Sequence, residues 1–169
     1  MSKPNIPYSE RKYVLMKKLP KGGVVIDFGF GCINNLTDLK KSYDFVLGID
    51  DFPLTPYYRE ASDSAIERLF KQNIRVIKAD YNDVVSQLKP SSVADVIVMF
   101  NSWCFVTKPY SFAKQLYRIS KKGGYLYILQ NDMSKADLQS IKKAGWKLLT
   151  FNVPSSYNGR GSDEYLFIK

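Results

Sequence analysis

The chain has 169 residues, one domain's worth, of which 45% are hydrophobic and 24% charged; this excludes a disordered chain, a collagen and a disulfide scaffold. It has no histidine and only two cysteines, Cys32 and Cys104, so histidine-based triads, histidine metal sites and four-cysteine metal centres are excluded. Lys and Arg outnumber Asp and Glu by 25 to 16, and the resulting charge of +9 attracts phosphates without dictating a fold.

In chain order, Ser9 caps a predicted helix from Glu10 to Leu19, which Pro20-Lys21-Gly22-Gly23 stops. Residues 1–22 are read as an N-terminal helical extension of a single domain covering 1–169. Val24–Phe28 is too short and too β-branched for a helix and reads as a fully buried strand. Gly29-Phe30-Gly31 and a short helix over Asn35–Lys41 follow. Asp44–Asp50 is the second strand. A longer helix fits Pro56–Gln72, with Ala65, Ile66, Leu69 and Phe70 on its apolar stripe.

The alternation continues with a strand at Ile74–Asp80, a helix at Asn82–Leu88 closed by Pro90, and a strand at Ala94–Phe100. Lys108–Ser120 reads as a helix, closed by Lys121-Lys122-Gly123-Gly124, and Tyr125–Leu129 as the fifth strand. Ser134 caps a helix that ends at Ala144, with Gly145 as its stop. Trp146–Val153 and Glu164–Ile168 are the last two strands. Only a polar loop, Pro154–Asp163, joins them, too short for a helical crossover, so they pair antiparallel. The fold expected is α/β: three layers, doubly wound, a mostly parallel seven-stranded sheet with a C-terminal antiparallel hairpin.

No apolar run approaches the roughly 20 residues of a membrane span. The N-terminus lacks the apolar core of a signal peptide, so the expected location is cytoplasmic, with no membrane partner and no structural metal.

Ligands of open α/β sheets sit beyond the carboxyl ends of the strands. Here those ends read Asp27-Phe28-Gly29-Phe30-Gly31, Asp50-Asp51, Asp80-Tyr81 and Asn101-Ser102-Trp103. The glycines let backbone approach a ligand, and Asp50 lies about 20 residues past them, the usual place for an acid on ribose hydroxyls.

These segments resemble the class I S-adenosylmethionine-dependent methyltransferases over nearly the whole chain. Val24–Gly31 is similar to that family's first motif, Leu47–Asp50 to its acidic second strand end, and Val76–Asp80 to its third-strand segment. Lys121–Leu126 resembles the entry to its fifth strand, and the terminal hairpin its last two strands. The resemblance implies S-adenosylmethionine as cofactor. Asp27 and the Gly29, Phe30 and Gly31 backbone would hold its amino-acid end, Asp50 with neighbouring Asp51 the ribose, and Asp80 the adenine amino group. Tyr81 would supply an adjacent N–H, and Asn101 would sit near the methyl group as the candidate catalytic residue. Phe30 is bulky where the family has a small residue; it either packs beneath the loop or narrows the pocket. NAD fits less well, because position 34 is Asn where its fingerprint needs a third glycine.

The segment Asn101–Phe105 is the expected lip of the acceptor site. Asn101 and Trp103 suggest a base-directed aminomethyltransferase, but both prolines of that motif are missing. The Lys-Asp-Lys-Glu tetrad of ribose methyltransferases is absent as well. Cys104 lacks the Pro-Cys context of cytosine-carbon enzymes and reads as a buried apolar residue. Trp103 and Tyr157 offer rings for stacking, and Arg160 a phosphate contact. The acceptor expected is nucleic acid, RNA or DNA, with a partner protein as an alternative source of recognition. A small-molecule or protein side-chain acceptor, and a binding module without catalysis, are the other readings.

Overall fold

The computed structural model describes residues 14–31, 33–51, 63–89, 93–131, 133–152 and 163–169. Seven strands form one sheet: β1 (Val24–Phe28), β2 (Phe45–Asp50), β3 (Ile74–Lys78), β4 (Ala94–Phe100), β5 (Ser120–Gln130), β6 (Lys147–Asn152) and β7 (Asp163–Ile168). Their order is β3-β2-β1-β4-β5-β7-β6. The first five run parallel to one another, and β7 lies antiparallel between β5 and β6. The expected fold class is therefore the observed one.

Among the described residues five helices cover the sheet: α1 (Ile33–Lys40), α2 (Asp63–Phe70), α3 (Tyr81–Val84), α4 (Pro109–Ile119) and α5 (Lys135–Lys143). One face carries Leu36, Leu39 and Leu69 of α1 and α2, together with Leu15 and Leu19 from the segment before β1. The other carries Tyr81 of α3, Phe112, Ala113, Leu116 and Ile119 of α4, and Ile141 of α5. The central strands β1 and β4 are sandwiched by both layers, which is why they read as continuous apolar runs.

Several boundaries differ from those expected. The predicted helix before β1 is, within the described residues, a single 3-10 turn at Met16–Lys18; Ser9 lies outside them. The helix predicted from Pro56 is described only over Asp63–Phe70. Its Phe70, placed on the buried stripe, is 58% exposed and instead receives the Arg75 guanidinium 3.4 Å from its ring centroid.

α3 is one turn rather than the seven residues predicted. Arg118 of α4 donates to the carbonyls of Val85, Ser86 and Leu88, in the turns that follow it. β5 begins at Ser120, ahead of the predicted Tyr125. Ser120 pairs with Ala94 and Tyr125 with Val96, so Lys121–Gly124 form an insertion in the strand. A Cβ on Gly124 would stand 2.9 Å from the Lys121 carbonyl, so that insertion closes only on glycine.

A carboxylate fixes the chain before β1. Glu164 of β7 is fully buried; its Oε1 accepts from the Leu15 N–H (3.0 Å) and the Tyr127 hydroxyl (2.9 Å). Its Oε2 accepts from the Val14 N–H (3.1 Å) and Asn152 Nδ2 (2.8 Å). Because Glu164 pairs with Leu129, this anchor lies at the C-terminal end of β5.

Candidate functional site

The parallel strands deliver their carboxyl ends to one rim. Asp27, near the end of β1, is fully buried. After Phe28 the chain turns through Gly29 (φ 74°) and Gly31 (φ 66°), both in the left-handed region that glycine enters without a Cβ clash. A Cβ on Gly29 would come within 2.5 Å of the Ser102 Cβ, so the loops after β1 and β4 touch through a residue that cannot be larger.

Phe30 is 1% exposed and belongs to the core under α1, where its ring edge would meet a Cβ on Gly48 at 2.8 Å. Of the two readings of its bulk, the side chain takes the first and packs beneath the loop. Its carbonyl accepts from Asn35 Nδ2 at 2.7 Å, which ties the loop to the first turn of α1.

Asp50 ends β2 and accepts the Gly31 N–H on Oδ2 at 2.7 Å. Burial pushes its carboxyl above the ordinary carboxylate range, and the neighbouring charge of Asp51 adds to this; backbone N–H bonds from Gly31 and Asp51 pull the other way. Asp51 is exposed.

Asp80 follows β3 and caps α3. Both the backbone N–H and Nδ2 of Asn82 donate to its Oδ1, at 2.8 and 2.9 Å, while Oδ2 receives no hydrogen bond among the described residues. Tyr81 is buried, and its hydroxyl donates to the Ser102 carbonyl at 2.6 Å; burial raises its phenol above the usual tyrosine value.

At the end of β4, Asn101 adopts φ 53°, a conformation that Asn tolerates better than most residues. Its N–H donates to the Leu129 carbonyl at 2.7 Å and its side chain is exposed. Ser102 is buried and donates from Oγ to the Phe28 carbonyl at 2.6 Å. A 3-10 turn then runs over Trp103–Phe105. The loops after β1, β2, β3 and β4 are thus joined side to side by hydrogen bonds.

Two lip residues depart from expectation. Trp103, offered as a stacking ring, is 2% exposed and sits edge-on to Phe112 at 6.0 Å; the exposed ring of the lip is Phe105, at 68%. The Trp103 indole N–H is buried and finds no hydrogen-bond partner among the described residues. Cys104, read as buried, is an exposed free thiol, because the turn directs positions 104 and 105 outward while Trp103 fills the core. Cys32, Tyr157 and Arg160 lie outside the described residues.

Sequence reasoning passed over Asn82 and Ser102 as linkers of the rim. Neither belongs to a periodic pattern; only the adjacency of Asn82 to the strand-end Asp80 could have pointed to it.

A second concavity, of about 330 Å3, opens at the opposite end of the sheet between Lys21–Gly23 and Lys121–Tyr125. Asp95 closes it by pairing with Lys121 at 2.7 Å and accepting the Val24 N–H at 2.8 Å. It is far from the strand ends that carry the acidic rim. No helix among the described residues is long and apolar enough to cross a membrane, and no group of three or more metal-ligating residues occurs among them.

The sequence profile of the methyltransferase domain family matches residues 8–161. The chain therefore belongs to that family, and with this sheet order it is a class I S-adenosylmethionine-dependent methyltransferase with a Rossmann-like fold. Among solved structures it is similar to an S-adenosylmethionine-dependent methyltransferase from Aquifex aeolicus, at 20% identity and TM-score 0.67, covering 92% of this chain and 88% of that one. It is also similar to a chain of the complex between the Haloferax volcanii Trm112 methyltransferase activator and a methyltransferase (16% identity, TM-score 0.67, 89% and 84% covered). A 16S rRNA adenine N1-methyltransferase from Catenulisporales acidiphilia matches at 11% identity and TM-score 0.63, with 86% and 84% covered. No curated protein matches the sequence.

The donor set fits the family's cofactor. Three carboxylates, Asp27, Asp50 and Asp80, stand at the ends of adjacent strands β1, β2 and β3, beside a loop left bare by two glycines. Carboxylates favour an ammonium, a sulfonium and ribose hydroxyls; the N–H groups of Gly29 and Gly31 are already given to the Ile49 carbonyl and Asp50 Oδ2.

Proposed function

We propose that this chain transfers the methyl group of S-adenosylmethionine to a nucleic acid acceptor. The observation that carries the cofactor half is the acidic rim around the Gly29–Gly31 turn. The observation that favours the acceptor is the charge of +9 on a chain of this size.

Bound there, S-adenosylmethionine supplies a methyl group on a positively charged sulfur. Asp27 and the backbone of Gly29, Phe30 and Gly31 hold its amino-acid end. Asp50, aided by Asp51, accepts the ribose hydroxyls, and Asp80 accepts the adenine amino group through Oδ2 while Tyr81 offers its backbone N–H. The exposed amide of Asn101 orients the acceptor and holds its proton by a hydrogen bond. Methyl transfer depends chiefly on alignment, so a site without histidine suffices. Phe105 replaces Trp103 as the ring presented on the lip, and Tyr157 and Arg160 contact the acceptor from the β6–β7 connection. A cytoplasmic location accords with the free thiol of Cys104.

The test is transfer of labelled methyl groups from S-adenosylmethionine to total RNA, DNA and a small-metabolite extract. Nuclease-sensitive label in the nucleic acid fraction is expected. Label confined to metabolites or protein would replace the acceptor, and cofactor binding with no labelled product from the isolated chain would assign recognition to a partner protein. Absence of cofactor binding would leave a binding module on the same fold.

A further inference from the structure

The far end of the lip after β4 is tied to the segment after β3 through the side chain of Asn82. Asn82 Nδ2 donates both to Asp80 Oδ1 (2.9 Å) and to the Phe105 carbonyl (3.1 Å). Its Oδ1 accepts from the Thr107 N–H at 3.0 Å and from the Thr107 hydroxyl at 3.4 Å. One amide group thus joins the strand-end carboxylate Asp80 to the two lip residues that flank Val106. Further ties lie at its other end: Ser102 to Phe28 and Tyr81, the Cys104 N–H to Gln130 Oε1 at 3.4 Å, and the Cys104 thiol to the Asn101 carbonyl at 3.5 Å. Phe105, the exposed ring, therefore has its carbonyl fixed by Asn82.

We infer that Asn82 is a positioning residue that locks the Phe105–Thr107 lip to Asp80, so that cofactor held at Asp80 stiffens the surface that receives the acceptor. The inference rests on the proposed placement of adenine at Asp80. An amide suits the task because it donates to a carboxylate and a carbonyl while accepting from an N–H; neither Asp nor Ala does both. With adenine fixed on Oδ2, Asp80 has less freedom to turn, and the Asn82 bonds on Oδ1 tighten with it.

Cys104, exposed and one residue before Phe105, reports the state of the lip. Its alkylation by iodoacetamide is followed by peptide mass mapping, which separates it from Cys32. The full-length chain is compared with Asn82→Ala and Asn82→Asp, with and without saturating S-adenosylhomocysteine, and calorimetry measures binding of the same ligand to each. In the parent chain the ligand is expected to slow alkylation of Cys104. Loss of the three lip bonds should speed alkylation about ten-fold in Asn82→Ala without ligand and abolish the ligand's effect. Asn82→Asp keeps the acceptor for Thr107 but sets an oxygen against Asp80 Oδ1 and the Phe105 carbonyl, so it should speed alkylation at least as much as Asn82→Ala. Circular dichroism confirms that each variant is folded; a purely structural residue would change the thermal midpoint but leave ligand protection of Cys104 in place.

If the ligand binds the parent and protects Cys104 equally in Asn82→Ala, the inference is overturned and the cofactor reading stands. If it protects Cys104 in neither chain although it binds both, the coupling is likewise overturned. If it binds none of the chains, the cofactor reading itself fails, and the inference with it.

Discussion

Asn101 occupies a backbone conformation, φ 53°, that costs a residue with an ordinary Cβ about 1 kcal/mol and glycine almost nothing. Its two possible roles, backbone and side chain, are therefore separable. Asn101→Ala should lower both the thermal midpoint and methyl transfer. Asn101→Gly should keep the midpoint while transfer falls about ten-fold or more, as expected when an oriented hydrogen bond is lost. Equal activity of Asn101→Gly and the parent would remove Asn101 from the reaction.

Asp50 makes a second prediction with a definite sign. Burial raises its folded-state pKa, so the folded chain holds the proton more tightly than the unfolded chain. The stability this contributes is present below the ordinary carboxylate range and is lost as pH rises through the raised value. Asp50→Asn still offers an oxygen to the Gly31 N–H but carries no charge to desolvate. Its thermal midpoint should therefore gain on the parent's as pH goes from about 4 to about 7. Midpoints that run parallel across that range would contradict the assignment.

The elements were legible to different degrees. β4 and the capped start of α5 carry strong local signals, an unbroken β-branched run and Ser134 accepting the Asp137 N–H at 3.0 Å, and both were readable from residues alone. α3 is shorter than expected, and Arg118, 33 residues from Val85, binds the carbonyls that follow its single turn, a contact that no local pattern encodes. The start of β5 was misjudged because Lys121-Lys122-Gly123-Gly124 has the composition of a helix stop, while the pairing of Ser120 with Ala94 is non-local. The Trp103–Phe105 turn has no period to say which ring faces inward, so the exposed ring is Phe105 where Trp103 was expected.

Glu164 is the element-scale case that no pattern announced. Four donors from three separate segments converge on one buried carboxylate, which offsets its desolvation. Glu164→Gln places an NH2 group where two donors point. It should cost about 2 kcal/mol or more and lower the thermal midpoint by about 5 °C or more. A change within error by calorimetry would show that Val14 and Leu15 are held by packing alone.

At the scale of the whole molecule, the mostly parallel sheet with its antiparallel terminal pair was visible in the sequence because strands and helices alternate, and the acidic rim because Asp27, Asp50 and Asp80 stand at or beside the ends of the first three strands. The acceptor was not, since charge and aromatic content are distributed quantities. The basic clusters sit in different elements, at Lys17-Lys18, Lys40-Lys41, Lys121-Lys122 and Lys142-Lys143, so they act as a general field. RNA binding should accordingly weaken about ten-fold or more as monovalent salt rises from about 50 to about 200 mM. Binding indifferent to salt would exclude a phosphate-directed contact.

The central claim is that the rim built by Asp27, Asp50 and Asp80 around the glycine turn holds S-adenosylmethionine. It is tested most directly by isothermal titration of S-adenosylhomocysteine into the chain and into Asp50→Ala, with NAD as control. The account predicts saturable binding to the parent, at least about ten-fold weaker binding to the variant at an unchanged fold, and none of NAD. Equal affinity of parent and variant, or binding of NAD in place of S-adenosylhomocysteine, would contradict it.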